Sequence, residues 1–407
     1  MENQKNVPEL RFPEFEGEWE KKKLGEVAEK ITDGTHFSPK SFDHGEFLYI
    51  TSKNVKDGYM ELSNAQYISY EDHTSIYKRC DVKKGDILLT KDGTIGQSCI
   101  NELEIEFSLL SSVAFIRTLS NYSNYFIYQL IVSDIGQKEI ESQIAGQALR
   151  RITLHKINNF EFHFPTLLEQ SKIATFLTAV DEKLQALKKK KSLLEVYKKG
   201  VMQKLFSQEL RFKSEDGKEF GDWEEKKLGE VTFKTDKKNK KREILPVFSI
   251  SNVKGFVHQS EQFDGVDSIE RGYDTSLYKI IEDNTFAYNP ARINVGSIGY
   301  SGLIGRVLVS SLYVCFKTDD SLDDNYLNHY LKTEHFKNSV LRNGEGGVRI
   351  YLFYENFSEI TINIPTIREQ RCITNFLSSL DEKINHAQTE ITKTEVWKKG
   401  LLQKMFV

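Results

Sequence analysis

Two segments of the chain place apolar residues at alternating spacings of four and three, with polar residues between them. One runs from Pro165 to Phe206 and the other from Pro365 to Phe406. This pattern, kept over about four to five heptads, predicts two long helices that pair through apolar seams. The seam positions are Ile173, Leu177, Val180, Leu184, Leu187, Leu194, Val201 and Leu205, then Ile373, Leu377, Leu380, Ile384, Ala387, Ile391, Leu401 and Met405, with polar interruptions at Lys191, Lys198, Thr394 and Lys398.

Each of these helices is predicted to begin with a capping box directly after a proline. Thr166 precedes Glu169 by three residues, and Thr366 precedes Glu369 in the same way. We expect each threonine hydroxyl to accept a hydrogen bond from a free backbone N–H. The glutamate should accept one from the threonine N–H in return.

Three other features of the helices have two interpretations each. Gly200 and Gly400 should each destabilise their helix by about 1 kcal/mol relative to alanine. A close helix crossing or a simple kink would explain why glycine occurs at these positions. The sequence DEK, at Asp181 and Asp381, suggests nuclease carboxylates but is more typical of a solvated coiled-coil face. The run KKKK that begins at Lys188 favours an outward helix face over a DNA contact.

The segments before the two helices alternate between short strands and turns. Runs such as FLYITS, DILLTK, LPVFSI and EITINI are rich in β-branched and aromatic residues, and turn signals such as KDG and GEGG separate them. A helix-like stretch follows in each segment. Each is therefore predicted to be a mixed α/β domain with exposed loops, where recognition residues usually lie.

The chain consists of two copies of one unit. WEKKKLGEV begins at Trp19 and WEEKKLGEV at Trp223, and LRF occurs at Leu10 and Leu210. The closing segments, offset by 200 residues, agree at 18 of 42 positions. The segments between the leader and the closing helix share only short sequences. These are NVK at Asn54 and Asn252, TSIYK at Thr74 with TSLYK at Thr275, and GTIG at Gly93 with GSIG at Gly296. This pattern indicates one fold that is present twice, with different surface residues in the two copies.

We therefore predict an α+β fold, with two mixed α/β domains joined by two long helices that form an antiparallel coiled coil, and an internal pseudo-twofold repeat. Parallel pairing would also bury the seam, but the second unit starts directly after the first helix, which favours the antiparallel arrangement. The predicted bounds are 1–164 for the first domain, 165–206 for the central helix, 207–364 for the second domain and 365–407 for the C-terminal helix.

Composition is typical of a globular protein, with 39% hydrophobic and 28% charged residues. The net charge of −3 does not point to a nucleic-acid binder, although binding needs only local charge. The four cysteines lack zinc spacing, which predicts reduced thiols and no metal site. No apolar run reaches the roughly 18 residues of a membrane span. We expect a cytoplasmic protein without membrane contact.

The sequence offers no catalytic site. It has no GxxxxGK[ST] phosphate loop, and its nine histidines form no catalytic or metal-binding spacing. YNPAR, at Tyr288, resembles the start of the Asn-Pro-Pro-aromatic motif of amino-methyltransferases, but the second proline and the aromatic residue are missing. We predict a turn there instead, with Arg292 facing a phosphate.

With two variable α/β domains and two repeated helices that begin PTxxEQ, the chain resembles the specificity subunit of type I restriction–modification systems. The resemblance covers essentially the whole chain. It is carried by Pro165-Thr166, Glu169-Gln170, Pro365-Thr366, Glu369-Gln370, the leaders at Trp19 and Trp223, and the closing sequences YKKGVMQKLF and WKKGLLQKMF.

The resemblance implies that each middle is a target-recognition domain that reads one half of a bipartite double-stranded DNA site. The helices would fix the gap and dock two modification subunits, which bind S-adenosylmethionine and methylate adenine N6. Restriction subunits, which use ATP and Mg, would then join. The chain itself would carry no catalytic residue, cofactor or metal. The repeated leader sequence, WEKKKLGEV and WEEKKLGEV, would belong to the part of the fold that binds two copies of the modification subunit.

Basic and polar residues in loops are the candidate DNA contacts, since arginine and lysine neutralise phosphates or contact guanine. KTDKKNKKRE, from Lys234 to Glu243, has six positive charges against two negative, and is either a solvated loop or a contact. The candidates are Thr35, His36, Lys40, Lys53, Lys91 and Arg150 in the first domain, and Lys237, Lys238, Arg242, Asn289, Arg292 and Arg349 in the second.

Two other functions remain open. A coiled-coil adaptor that displays two β-rich domains predicts no salt-sensitive DNA affinity in any assembly. A stand-alone methyltransferase predicts binding of S-adenosylmethionine by this chain alone.

Overall fold

The computed structural model describes residues 6–144, 150–262, 265–346 and 350–407. The chain divides into two compact units, Met1–Lys189 with Gln388–Val407, and Lys190–Ala387. Each unit contains one mixed α/β domain, part of the first long helix and part of the second. The predicted α+β class, with long helices and an internal repeat, is confirmed.

The largest sheet of the first domain has four strands, in the order β2-β10-β7-β8. Three smaller sheets, antiparallel or mixed, accompany it. The smaller sheets are β1-β11, β6-β3-β9 and β4-β5, and β3 runs parallel to β9. Up to the first long helix, the elements are β1 (Glu20–Lys23), α1 (Leu24–Val27), β2 (Ala28–Asp33), β3 (Phe47–Ile50), β4 (Val55–Lys56), β5 (Tyr59–Met60), β6 (Gln66–Ile68), α2 (Tyr70–Tyr77), β7 (Ile87–Thr90), β8 (Ser98–Ile100), β9 (Ser108–Leu109), β10 (Val113–Thr118), α3 (Asn124–Val132), α4 (Asp134–Ile144), α5 (Leu154–Asn158), β11 (Glu161–Phe164) and α6 (Leu167–Phe206).

The second domain repeats this plan, with sheets β13-β20-β17-β18, β15-β14-β19-β16 and β12-β21. Here too one parallel pair, β14 with β19, lies among antiparallel neighbours. The elements are β12 (Glu224–Lys227), α7 (Leu228–Val231), β13 (Thr232–Thr235), β14 (Val247–Ser251), β15 (Gly255–His258), α8 (Gln259–Gln262), β16 (Lys279–Ile281), β17 (Phe286–Tyr288), a 3-10 turn (Ile293–Val295), β18 (Ile298–Tyr300), β19 (Val307–Val309), β20 (Val314–Thr318), α9 (Asp324–Tyr330), α10 (Glu334–Asn343), α11 (Tyr354–Ser358), β21 (Thr361–Ile364) and α12 (Ile367–Met405).

The long helices pair antiparallel within each unit. In the first unit, the late residues of α12 meet the early residues of α6, as the edge-on contact of Phe176 with Trp397 shows. In the second unit, Lys198 of α6 lies 2.5 Å from Asp381 of α12. All the predicted seam residues are buried or half-buried. Antiparallel pairing through these seams is confirmed.

The aspartates of the two DEK sequences were wrongly predicted to lie on a solvated face. Asp181 forms an ion pair of 2.5 Å with Lys398, and Asp381 forms the same pair with Lys198. The two lysines interrupt the apolar seam, so each needs a carboxylate on the facing helix when the helices pair. These aspartates therefore lie at the interhelical contact.

Gly200 and Gly400 do not mark a close helix crossing within either unit. A Cβ atom built on either glycine meets no described atom within 4 Å. Both helices continue through these positions. The crossing explanation is therefore wrong for the chain by itself, and each glycine leaves a small open area on the helix surface.

The repeated glutamates at the helix starts, Glu169 and Glu369, bind the leader segments and do not complete the capping boxes. In the first copy, the Thr166 hydroxyl accepts from the Glu169 N–H at 3.4 Å, which is half of the predicted box. The Glu169 carboxylate instead accepts from both Arg11 and the indole N–H of Trp19. Glu369 accepts equivalent bonds from the second leader, from Arg211 and Trp223.

The neighbouring glutamines attach each long helix to its domain. Gln170 accepts from the Ser123 N–H at 3.0 Å, at the start of α3, and donates to the Pro165 carbonyl. Gln370 accepts from the N–H of Asp323, at the start of α9, at 2.7 Å. The sequence PTxxEQ therefore joins the helix, the leader and the recognition domain in each unit.

The repeated leader phrase is part of the packed core. Leu24 and Val27 are fully buried, and Leu228 and Val231 match them in the second unit. A Cβ on Gly25 would lie 2.7 Å from the side-chain oxygen of Asn158, so glycine is needed where α1 meets α5. Packing alone is thus a sufficient reason to keep the phrase in both copies.

The described residues contain no group of histidine, cysteine or acidic side chains that could hold a metal ion. The four cysteines are free thiols. In the part of the chain that the structure covers, no helix is both long and apolar enough to cross a bilayer.

Candidate nucleic-acid interface

A polar cleft of 380 Å³ opens between two loops of the second domain. One loop follows β14 and contributes Ser251 and Asn252, and the other follows β17 and contributes Asn289 and Arg292. Gln262 of α8 also lines the cleft. Amide and guanidinium groups in such an arrangement match the donors and acceptors on base edges.

The backbone holds the Arg292 loop in a defined turn. The Asn289 side chain accepts from the Ala291 N–H at 3.0 Å, and the Asn289 carbonyl accepts from the Arg292 N–H at 3.0 Å. Gly296 has a φ of +94°, and a Cβ there would lie 3.0 Å from the Asn252 carbonyl oxygen. Glycine therefore lets the two loops approach each other. The turn predicted at YNPAR is confirmed, and Arg292 is exposed beside it.

The corresponding loops of the first domain also adjoin. A Cβ on Gly93 would lie 3.2 Å from the Ser52 hydroxyl, which places the loop after β7 against the loop of Lys53. The Ile152 N–H donates to the Lys91 carbonyl at 2.9 Å, so Arg150 lies near the same loop along the chain. The structure thus brings together the segments that carry Lys53, Lys91 and Arg150. The Lys53 and Arg150 side chains are exposed.

Lys91 and Thr35 are the buried members of the candidate set in the first domain. The Lys91 ammonium, with 3% of its side chain exposed, lies 2.9 Å from the buried carboxylate of Asp33. Arg79 pairs with the same carboxylate at 3.3 Å. The Thr35 hydroxyl accepts from the Phe37 N–H. Both side chains are used inside the domain, where they hold the loop that follows β2, so neither presents an exposed group to DNA in this structure.

The other candidates of that loop are at the surface. His36 lies 3.3 Å from Asp33, and its side chain is mostly exposed. Lys40 lies over the ring of Phe42, with its ammonium 5.4 Å from the ring centroid. Both remain predictions as DNA contacts.

The basic loop of the second domain lies along β16 and does not line the cleft. Lys237 pairs with Glu282 at 2.5 Å, and Arg242, with a φ of +52°, lies 3.8 Å from Asp274. Lys238 forms an isolated bridge with Lys279. These three residues remain exposed, and their role in DNA contact stays a prediction. Arg349 lies outside the described residues.

Sequence reasoning missed Asn252, Gln262 and Arg79. Asn252 belongs to the sequence NVK that both copies share, and nothing local marked it as a candidate contact. Gln262 has no motif, and only the tertiary structure brings it to the cleft. Arg79 follows the shared TSIYK echo, and nothing local marks its pairing with Asp33.

A second repeated surface lies on the helix pairs, and we call it the aromatic stripe. In the first unit it consists of Phe12, Phe176 and Trp397, with ring centroids 5.9 and 6.1 Å apart, beside the exposed Val396. In the second unit its members are Phe212, Phe376, Tyr197 and Val196. Trp397 lies three residues before Gly400, and Tyr197 three residues before Gly200, which places each pair on neighbouring turns of one helix face. Exposed apolar residues at matching positions of both copies are typical of a protein contact.

The chain matches the family model described as "Type I restriction modification DNA specificity domain" twice, over residues 16–196 and 221–394. It is 24% identical to a putative type I restriction enzyme MjaX specificity subunit of Methanocaldococcus jannaschii, over 98% of this chain and 95% of that protein. The MjaVIII specificity subunit of the same organism is also 24% identical, over 98% and 94%.

Solved structures share the fold. The S subunit of a type I restriction-modification system from M. genitalium superposes with a TM-score of 0.61 at 16% identity, over 98% of this chain and 99% of that one. A chain from a structural study of type I R-M complex assembly gives a TM-score of 0.52 at 16% identity, over 95% and 96%. Because the two family matches cover most of the sequence, the chain belongs to the type I restriction modification DNA specificity family, and it is the specificity subunit, not a catalytic subunit, of such a system.

Proposed function

We propose that each α/β domain reads one half of a bipartite double-stranded DNA target. The observation that supports this best is the contrast between frame and cleft. Trp19 and Glu169 recur as Trp223 and Glu369 with the same contacts. The cleft loops of the two domains occupy corresponding places and both contain NVK, but the loop after β7 begins KDG where the loop after β17 begins NPAR. A shared fold that carries two domains with different cleft loops fits a DNA target whose two halves differ in sequence.

Direct readout in the second domain would come from Arg292, Asn289 and Asn252. Arginine pairs with two acceptors of guanine, and asparagine pairs with the donor and acceptor of adenine. In the first domain, Lys53, Arg150 and His36 are the exposed groups available for phosphates or bases. Since the net charge is −3, these few local cations would carry the DNA contact.

We further propose that two modification subunits dock on the helix pairs, one at each aromatic stripe. The stripes match at positions 200 residues apart, except that Tyr197 stands in place of Trp397, so two copies of one partner can make similar contacts. Open surface at Gly200 and Gly400 permits close approach of a partner backbone. S-adenosylmethionine would bind to the modification subunits, and ATP and Mg to restriction subunits that join in the cytoplasm.

Genome-wide detection of N6-methyladenine, with and without this gene, tests the proposal. We expect a split motif of two short defined halves around a fixed gap, methylated only when the gene is present. The modification genes must be expressed in both strains. Loss of the gene with every methylated motif unchanged would contradict DNA specificity for this chain.

A further inference from the structure

The second unit contains a cavity of 630 Å³ that shares no lining residue with the DNA cleft. It lies between the end of α6 and the turn that joins α9 to α10. Phe206, Met202 and Tyr330 supply its apolar wall, and the Phe206 and Tyr330 rings pack with centroids 5.8 Å apart. The volume lies within the range of about 300–1,000 Å³ that is typical of small-ligand sites.

The rim of this cavity is cationic. Lys199, Lys332 and Lys337 line it, against the single carboxylate of Glu334. That carboxylate lies 3.0 Å from Lys337 and 3.9 Å from Lys199, so both neighbours share it. The rim therefore has an excess of positive charge that an anionic ligand would relieve.

The basic rim is peculiar to the second copy of the repeat. At the positions 200 residues earlier, valine, isoleucine and glutamine stand where the second unit has Lys332, His335 and Lys337. Leucine likewise stands in place of Tyr330. Lys332, His335 and Lys337 are exposed, so packing does not require them. Tyr330 is buried, and its hydroxyl donates to the Thr361 carbonyl. Lys332, His335 and Lys337 therefore occur at only one of two equivalent places.

We propose that this cavity binds a small aromatic anion of the nucleoside phosphate class. The phosphates would lie among Lys199, Lys332 and Lys337, and the base against the half-buried Phe206 and Met202. Charge-assisted hydrogen bonds to phosphate oxygens are the strong contacts of such a site. Asn363 and Gln203, which also line the cavity, supply amide groups for the base or sugar.

Titration calorimetry of the purified full chain with ATP, AMP, adenosine and inorganic phosphate tests this proposal. We expect ATP to bind more tightly than AMP, and both to bind more tightly than adenosine or phosphate alone. The double variant Lys332→Val, Lys337→Gln carries the residues of the first copy, which the same frame tolerates. It should weaken ATP binding at least about tenfold for each lysine lost.

Arg306→Ala is the matched control, because it removes an exposed cation of the same domain that lines neither the DNA cleft nor this cavity. Its ATP affinity should equal that of the unchanged chain, so that a loss in the double variant is assigned to the cavity. Photo-crosslinking with 8-azido-ATP gives a test that needs no variant, and labelled peptides should contain residues 199–208 or 330–337. Absence of ATP binding at millimolar concentration, labelling elsewhere, or unchanged affinity in the double variant would overturn the proposal.

Discussion

Arg11 and Glu169 lie 158 residues apart in the sequence and form a two-pronged ion pair, with both nitrogen–oxygen distances at 2.7 Å. Arg211 and Glu369 form the same pair at the same separation in the second unit. Each pair fastens a leader segment to the start of a long helix. The indole N–H of Trp19 or Trp223 donates to the same carboxylate, so each leader is held at two points.

Arg11→Ala should destabilise the first unit by about 3 kcal/mol, because it leaves the buried Glu169 carboxylate without its cation. Unfolding in urea can be followed by Trp19 fluorescence, with the other two tryptophans replaced by phenylalanine. Lys21→Ala is the control, since its pair with Glu161 is exposed and worth less than about 1 kcal/mol. Equal effects of the two substitutions would refute a structural role for the Arg11 pair.

Arg292→Ala should weaken DNA binding by the assembled complex by about 1–3 kcal/mol and relax recognition at one position of the target. Competition binding with single-base variants of the methylated motif measures both effects. Arg306→Ala is a suitable control, because Arg306 pairs with Glu243 and does not line the cleft. If the motif and its affinity stay unchanged, Arg292 is not a base contact.

Val196→Asp and Val396→Asp should each weaken the binding of one modification subunit, because they place a charge in an aromatic stripe. Both valines are exposed, so the chain alone should change in stability by no more than about 0.5 kcal/mol. Analytical ultracentrifugation of mixtures should show complexes with one modification subunit for each single variant. Val253→Asp, at an exposed site away from the helices, provides the control. Complete assembly by the double variant Val196→Asp, Val396→Asp would rule out the stripes as docking sites.

Lys198 and Asp381 should show a coupling energy of about 1 kcal/mol in a double-mutant cycle, since their pair lies partly buried between the helices. Lys198→Ala, Asp381→Ala and the double variant are compared by thermal unfolding, followed by helical circular dichroism. The exposed pair Lys337–Glu334, within α10, is the reference and should couple more weakly. Additive effects at Lys198 and Asp381 would show that this pair does not stabilise the helix contact.

His329 should make the second unit sensitive to acid. Burial, followed by the charges of Lys198 and Lys332, lowers the pKa of His329 from 6.5 to about 4. Between these values the unfolded chain binds a proton that the folded chain does not, so stability should fall as pH drops from 6.5 to 4. The loss should approach about 3 kcal/mol.

His329→Gln introduces the residue that the first copy has at position 129, and it removes this titration. Urea unfolding at pH 7, 6, 5 and 4 should show a flatter decline for the variant. His386→Gln, on the exposed side of α12, should leave the decline as it is in the parent chain. Parallel pH profiles for the parent and His329→Gln would contradict the assignment.

The helices and the repeat could be predicted because their signals are periodic. The seam residues alternate over many turns, and the two copies confirm each other at an offset of 200 residues. Partners far apart in sequence could not be found in this way. Nothing local distinguishes Glu169 as the acceptor for Arg11 from Glu169 as a capping residue, because both roles favour the same residue at the start of a helix.

The candidate site was harder to predict because polar residues serve two purposes. Lys91 lies in a loop with a strong turn signal and looks available, yet Asp33 binds its ammonium inside the domain. Asn252 belongs to a sequence common to both copies, and it nevertheless lines the cleft. Burial and cavity shape distinguish these cases, and both depend on contacts across the whole domain.

Strand β1 pairs with β11, and β12 pairs with β21, so each domain begins and ends on neighbouring strands. Glu20 lies opposite Phe164 at one end of the first pair, and Lys23 lies opposite Glu161 at the other. A gene segment that encodes everything between these strands can therefore be exchanged for another without moving either point of attachment. Recombination between the repeated leader sequence and the repeated PTxxEQ sequence would then replace a whole domain, and with it the proposed DNA half-site, in a single genetic event.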